Sequence, residues 1–104
     1  MLWHIVKFIY PADVDEAARK EAEDGVRGLA DAIDEIAFLR LGRSISEPNV
    51  SAVVVGFADE AGLAAYNAHP AHVPVAERID GLCERVERVD ILTDDAPGSI
   101  PRLA

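Results

Sequence analysis

The chain is short of cysteine, of basic charge and of long apolar runs, and each shortage removes a class of protein. One cysteine in 104 residues cannot close an internal disulfide, so a cystine-stapled scaffold is excluded and a reducing, cytoplasmic setting is expected. Cys83 falls within an amphipathic helical pattern and reads as a small apolar residue, not a nucleophile. Lys and Arg together number 10 against 19 Asp and Glu, a net charge of −9. A surface of that sign argues against nucleic acid or an anionic membrane as partner. No uninterrupted apolar run approaches the ~20 residues that span a bilayer. The opening "MLWHIVKFIY" has a short apolar part, no basic lead-in and no small-residue cleavage site, so it reads as a strand and not as a leader. The length suits one core, with no internal repeat and no linker.

Half of the residues are hydrophobic and 28% are charged, a balance that favours a packed globular chain. Leu2–Tyr10 is rich in β-branched and aromatic types and ends at Pro11, which predicts a strand. Trp3, Ile5 and Ile9 fall on one face and Leu2, Val6 and Phe8 on the other, so both faces of this strand expect cover. Asp13 with Glu16 three residues on has the form of a capping box. Val14, Ala18, Ala22, Val26, Leu29 and Ile33 then recur at steps of three and four, one buried helical stripe. The acids along this segment (Asp13, Asp15, Glu16, Glu21, Glu23, Asp24, Asp31, Asp34 and Glu35) read as its solvated outer face. They are strung along a helix and not gathered on a loop, as a calcium or magnesium site would need.

"IAFLRLGRSI" and "VSAVVVGFA" predict two more strands joined by the turn-forming "SEPN". "DEAGLAAYNA" predicts a helix capped by Asp59 and stopped before Pro70. A further helix carries Val75, Ile79, Leu82, Cys83 and Val86 on one stripe, and "RVDIL" closes as a fourth strand. The domain is expected over 1–93, with 94–104 as a flexible tail. The order β-α-β-β-α-α-β predicts the split-βαβ, ferredoxin-like α+β arrangement, with a four-stranded antiparallel sheet. Helices then cover one sheet face only, while the strands read apolar on both, which predicts a homodimer formed through the other face.

"YNAHPAH" gathers Tyr66, His69, Pro70 and His72. A metal site would use His69 and His72 at i, i+3, but Pro70 and Pro74 oppose a regular helix through both rings, and no carboxylate or thiol lies at ligand spacing. Acid–base chemistry would use Tyr66 and His72: imidazole exchanges protons near neutrality, and a tyrosine hydroxyl can hydrogen-bond a developing enolate. A purely structural role would have His69 end the helix and leave Tyr66 and His72 to satisfy buried hydrogen bonds. His4 shares its strand face with Val6 and Phe8. If that face looks toward the helices, these three line a ligand site and His4 pairs with Tyr66, His72 or a ligand; if it looks outward, His4 is structural.

"HIVKF" at 4–8, "VVVGFADEAGLAAY", "HPAH" at 69–72 and "RVDI" at 88–91 together resemble the stress-responsive alpha/beta-barrel (Dabb) domain family over residues 2–93. The resemblance implies a ferredoxin-like protomer and a symmetric dimer forming a barrel. It also implies a range of activities, from proteins of unassigned function to a plant polyketide cyclase that closes an aromatic ring without any cofactor. In that cyclase the tyrosine and the second histidine of the motif are the acid–base pair and the early strand histidine lines the pocket, which by position are Tyr66, His72 and His4. The chain departs from it on the third strand, where a further pocket histidine is replaced, apparently by Ala52, and after "HPAH", where Pro74 follows. The ligand so implied is small and apolar, aromatic or polyketide-like, with no cofactor and no metal.

Overall fold

A computed structural model describes residues 1–96; residues 97–104 of the expected tail lie outside them. Leu2–Ile9 forms β1, Glu16–Ala32 α1, Phe38–Arg43 β2, Val50–Phe57 β3, Glu60–Ala68 α2, His72–Leu82 α3 and Arg85–Leu92 β4. All pairings are antiparallel in the order β2-β3-β1-β4, which makes β1 a central strand and β4 an edge. This is the ferredoxin-like α+β fold read from the sequence.

Side chains alternate along β1 between two environments. Leu2, His4, Val6 and Phe8 are buried beneath the helices. Trp3, Ile5 and Lys7 are only half-buried and stand on the open face. Register carries the alternation across the sheet: Val54 lies opposite Ile5 on β3, and Val89 and Ile91 lie opposite Ile5 and Trp3 on β4. Val89 and Ile91 are 52% and 43% exposed. Trp3 meets Phe38 of β2 edge-on at 5.7 Å. The open face thus carries an apolar patch of Trp3, Ile5, Phe38, Val54, Val89 and Ile91, with Lys7, Glu87 and Arg40 at its margin.

The other face holds the core. The α1 stripe expected from spacing is largely realised, with Ala22, Val26, Leu29 and Ile33 all buried against Phe8, Tyr10, Val53, Val55 and Phe57. Each fully buried aliphatic side chain contributes about 1.5–3 kcal/mol. Three local expectations are corrected. The N-cap of α1 is Asp15, whose carboxylate accepts from the Ala18 amide at 2.9 Å, so the cap lies two residues after the expected Asp13. Val86 belongs to β4 and not to the α3 stripe, because α3 ends at Leu82 with Cys83 as its C-cap. β4 accordingly starts at Arg85, three residues before "RVDIL".

The third correction concerns charge. Glu23 was read as part of a solvated acidic face, yet it is 1% exposed. Its Oε2 accepts from Ser51 Oγ at 2.6 Å, Tyr10 OH at 2.9 Å and Arg19 Nε at 3.3 Å, and its Oε1 accepts from Arg43 Nε at 3.3 Å. Arg19, itself buried, also donates to Ser51 Oγ and the Pro48 carbonyl and lies over the Tyr10 ring at 4.5 Å. Burial pushes the Glu23 carboxyl up, but its hydrogen bonds outweigh this and hold it below the usual range. Removing one partner strands the others: Glu23→Ala should cost about 3–5 kcal/mol in urea unfolding. A loss under about 1 kcal/mol would mean that the cluster contributes little to stability.

Candidate functional site

Tyr66 projects from the last full turn of α2 into the helix-covered side of the sheet and is 4% exposed. Its ring lies 5.1 Å from Phe57, 4.2 Å from His72 and 5.8 Å from His4 between centroids. The structure therefore brings His4, Tyr66 and His72 into one aromatic cluster from β1, α2 and α3. The connector sets this up. Asp59 caps α2 by accepting from the Gly62 amide at 3.0 Å, and the His69 amide closes the helix on the Tyr66 carbonyl. His69 Nδ1 then accepts from the Ala71 amide at 3.0 Å, while the His69 carbonyl accepts the His72 amide. His69 is occupied in the turn and points at no other member of the cluster.

Pro70 separates the helices, and α3 begins at His72. Pro74 sits in the first turn of α3, where a missing N–H costs no helical hydrogen bond. His72 Nδ1 lies 3.4 Å from the Asn67 carbonyl. A carbonyl only accepts, so the proton belongs on Nδ1 and Nε2 keeps its lone pair. Burial lowers the His72 pKa below its ordinary value; the Asn67 hydrogen bond opposes this, and the charges of His4 and Arg88 add to it. Burial pushes Tyr66 up to about 12. At neutral pH the pair is a neutral imidazole against a protonated phenol.

His4 has a partner that sequence reasoning did not name. Its Nδ1 lies 2.5 Å from Asp90 Oδ1, across the β1–β4 pairing that sets His4 opposite Asp90. The carboxylate accepts, which again leaves Nε2 as the free ring nitrogen. The sheet order sets β4 beside β1, and the register across that pairing was not legible in the sequence. Ala52, taken as the replacement for a pocket histidine, lies opposite Lys7 and is exposed on the open face. The helix-facing residue beside it is Ser51, which the Glu23 cluster occupies.

Val6 and Phe8, buried under the helices, line a cleft of about 50 Å³ with Ile79 and Val86, and Asp80 and Arg88 also border it. The cleft is small against the ~300 Å³ at the lower end of ligand pockets. Its β4 side is open, since every β4 residue except Val86 is exposed. Burial pushes the Cys83 thiol up to about 11, so it is a thiol and not a thiolate near neutrality. No helix among the described residues is long and apolar enough to cross a membrane.

Residues 2–92 match the Stress responsive A/B Barrel Domain family, Dabb. The chain belongs to the Dabb family. No curated protein matches significantly in sequence. Among solved structures, this Dabb chain is similar to the Arabidopsis thaliana protein At3g17210 at 22% identity and TM-score 0.79, covering 92% of this chain and 98% of that one. It is similar to a dimeric ferredoxin-like protein of unknown function from Jannaschia sp. CCS1 at 25% identity and TM-score 0.73, over 88% and 98% of the two chains. A hydroxynitrile lyase from Passiflora edulis shares the fold at 14% identity and TM-score 0.80, over 90% and 94%.

The pH dependence of stability follows from His72. Its folded pKa is below the unfolded value of 6.5, so the unfolded chain binds more protons in the window between the two and stability rises with pH across it. This contribution is present above about pH 6.5 and is lost as pH falls through the lowered value. His72→Gln should flatten the pH dependence of urea unfolding in that window, and the His72 ring protons should titrate below 6.5 by NMR. A midpoint at or above 6.5 would contradict the burial argument.

Proposed function

We propose that this Dabb protein is a cytoplasmic homodimer that binds a small apolar or aromatic carbonyl compound in the groove between α3 and β4, and moves a proton beside that carbonyl. The observation that carries the proposal is the Tyr66 ring held 4.2 Å from His72 and 5.8 Å from His4. In this reading Nε2 of His72 takes a proton from the carbon next to the carbonyl. The Tyr66 hydroxyl donates a hydrogen bond to the carbonyl oxygen as it gains negative charge. The proton returns from His72 to the carbon or goes to the enolate oxygen. His4, held by Asp90, completes the polar wall, and Val6 and Phe8 supply the apolar floor. No step draws on a cofactor or a metal. The lone Cys83 supports the compartment.

The dimer is supported by the open apolar face and by neighbours described as dimeric ferredoxin-like proteins. A charge on that face would be desolvated without a partner. Ile5→Asp should therefore convert a dimer to a monomer in analytical ultracentrifugation at micromolar concentration. A wild-type monomer under the same conditions would remove this part of the reading.

Proton transfer can be read without the natural substrate, using exchange of the α-protons of benzoylacetone in D₂O by NMR. The wild type should accelerate exchange, His72→Gln should lose about 10²-fold or more of the acceleration, and Tyr66→Phe should lose a smaller part. Equal rates for wild type and His72→Gln would reject the catalytic role. A second reading, a non-catalytic barrel whose dimer is the functional unit, is favoured by the cleft's volume of about 50 Å³. It predicts no acceleration by any form and histidine substitutions that change stability alone.

A further inference from the structure

Arg88 stands apart from the other arginines among the described residues. Arg19, Arg27, Arg43, Arg78 and Arg85 each pair with a carboxylate, and Arg40 donates to the Leu39 carbonyl and covers Phe38. Among the described residues Arg88 makes no ion pair and no side-chain hydrogen bond, although the chain carries a net charge of −9. Its place in the fold is defined by register: Arg88 lies opposite Val6, on the helix-covered side, two residues before Asp90. It borders the cleft formed by Val6, Phe8, Ile79 and Val86, and Asp80 borders the same cleft without reaching it. Two residues along a strand is about 7 Å, so the backbone at Arg88 stands roughly one aromatic ring's length along β4 from Asp90, which meets His4.

We propose that Arg88 makes the groove selective for a small aromatic compound bearing a carboxylate, held with its ring on Val6 and Phe8. The inference rests on the small-molecule reading above and names the class of ligand. Guanidinium and carboxylate match in a bidentate, charge-assisted pair that a neutral amide of the same shape cannot form. The two carboxylates beside Arg88 act differently. Asp90 is engaged by His4, whereas Asp80 is unpaired and opposes an incoming anion. Binding of the carboxylate at Arg88 leaves the distal end of a ligand about one ring's length along the strand, toward His4 and its neighbours Tyr66 and His72. Arg88 is a specificity residue here and takes no part in the proton transfer. Because it lies on the helix-covered side, a dimer formed through the open face leaves it accessible.

The test uses the full chain and two probes of matched shape, benzoate and benzamide, titrated into ¹⁵N-labelled protein by NMR. Benzoate should bind about tenfold more tightly than benzamide, as expected for one hydrogen bond to a charged group. Both should shift the amides of Val6, Phe8 and Val86. Arg88→Gln should weaken benzoate to the level of benzamide and leave benzamide unchanged, with Arg88→Lys intermediate. Asp80→Asn should tighten benzoate alone, and added salt should weaken benzoate alone. Equal affinity for the two probes, or a preference for benzoate that survives in Arg88→Gln, overturns the assignment while the small-molecule reading stands. If neither probe binds, the small-molecule reading fails and the assignment with it. Arg88 is exposed, so these variants should keep the wild-type spectrum, which checks folding in the same experiment.

Discussion

Strand β1 lies between β3 and β4 with both edges hydrogen bonded, so its side chains have only the two faces of the sheet as surroundings. The period of two sends Leu2, His4, Val6 and Phe8 one way and Trp3, Ile5 and Lys7 the other. A slip of one residue would exchange the sets, placing His4 on the open face and Lys7 in the core. Burial excludes that slip, because the cost of an unpaired ammonium under the helices exceeds that of a histidine with Asp90 opposite. The fixed register then determines the rest. It places Asp90 at His4, Arg88 at Val6 and Ser51 near the Glu23 carboxylate, and it leaves an apolar face for a second surface to cover.

The helix layer is attached to this sheet in two different ways. α1 is held by an apolar stripe and by Glu23, whose carboxylate gathers Tyr10, Ser51, Arg19 and Arg43 from the end of β1, β3, α1 and β2. Desolvating such a cluster is costly, and its return is positional, since each donor fits only one arrangement of helix and strands. α3 has no comparable anchor. It rests on α1, where Gly25 faces Val75 and Arg78 reaches Glu21 at 3.0 Å, while the sheet edge beneath it is exposed. The rigid attachment is far from the aromatic cluster and the lighter one borders it.

How much of this was legible in the sequence varies with the range of the interaction. Element types and order were readable because they depend on local signals: Asp59 as cap, Pro70 as stop, the valine-rich run in "VSAVVVGFA". The two-sided character of β1 was readable and implied that the sheet face away from the helices needs a partner. The cluster of Tyr66, His72 and His4 was expected, and His69 was expected to be structural. What failed depended on partners far along the chain. Glu23 looks like any other acid on a helix until Ser51 and Arg43 are folded against it. Asp90 meets His4 across a separation of 86 residues, fixed by a register that no local pattern encodes. Asp13 and Asp15 are both reasonable caps by type, and the one used is decided by where the chain leaves Pro11.

Burial is the common cause behind the chemistry available at Tyr66 and His72, and it acts on them in opposite senses. Removing water disfavours the charged form of each group. For a phenol that means loss of the phenolate, so Tyr66, pushed up to about 12, stays a donor at neutral pH. For an imidazole it means loss of the cation, so His72 stays able to accept a proton. One environment therefore sorts the two residues into donor and acceptor, with no third group needed to fix either state. The positive charge of Arg88 pushes His72 the same way, so a carboxylate bound at Arg88 would relieve that push and raise the basicity of His72. Under the proposed carboxylate binding, ligand and proton affinity would be coupled in the direction that strengthens the base.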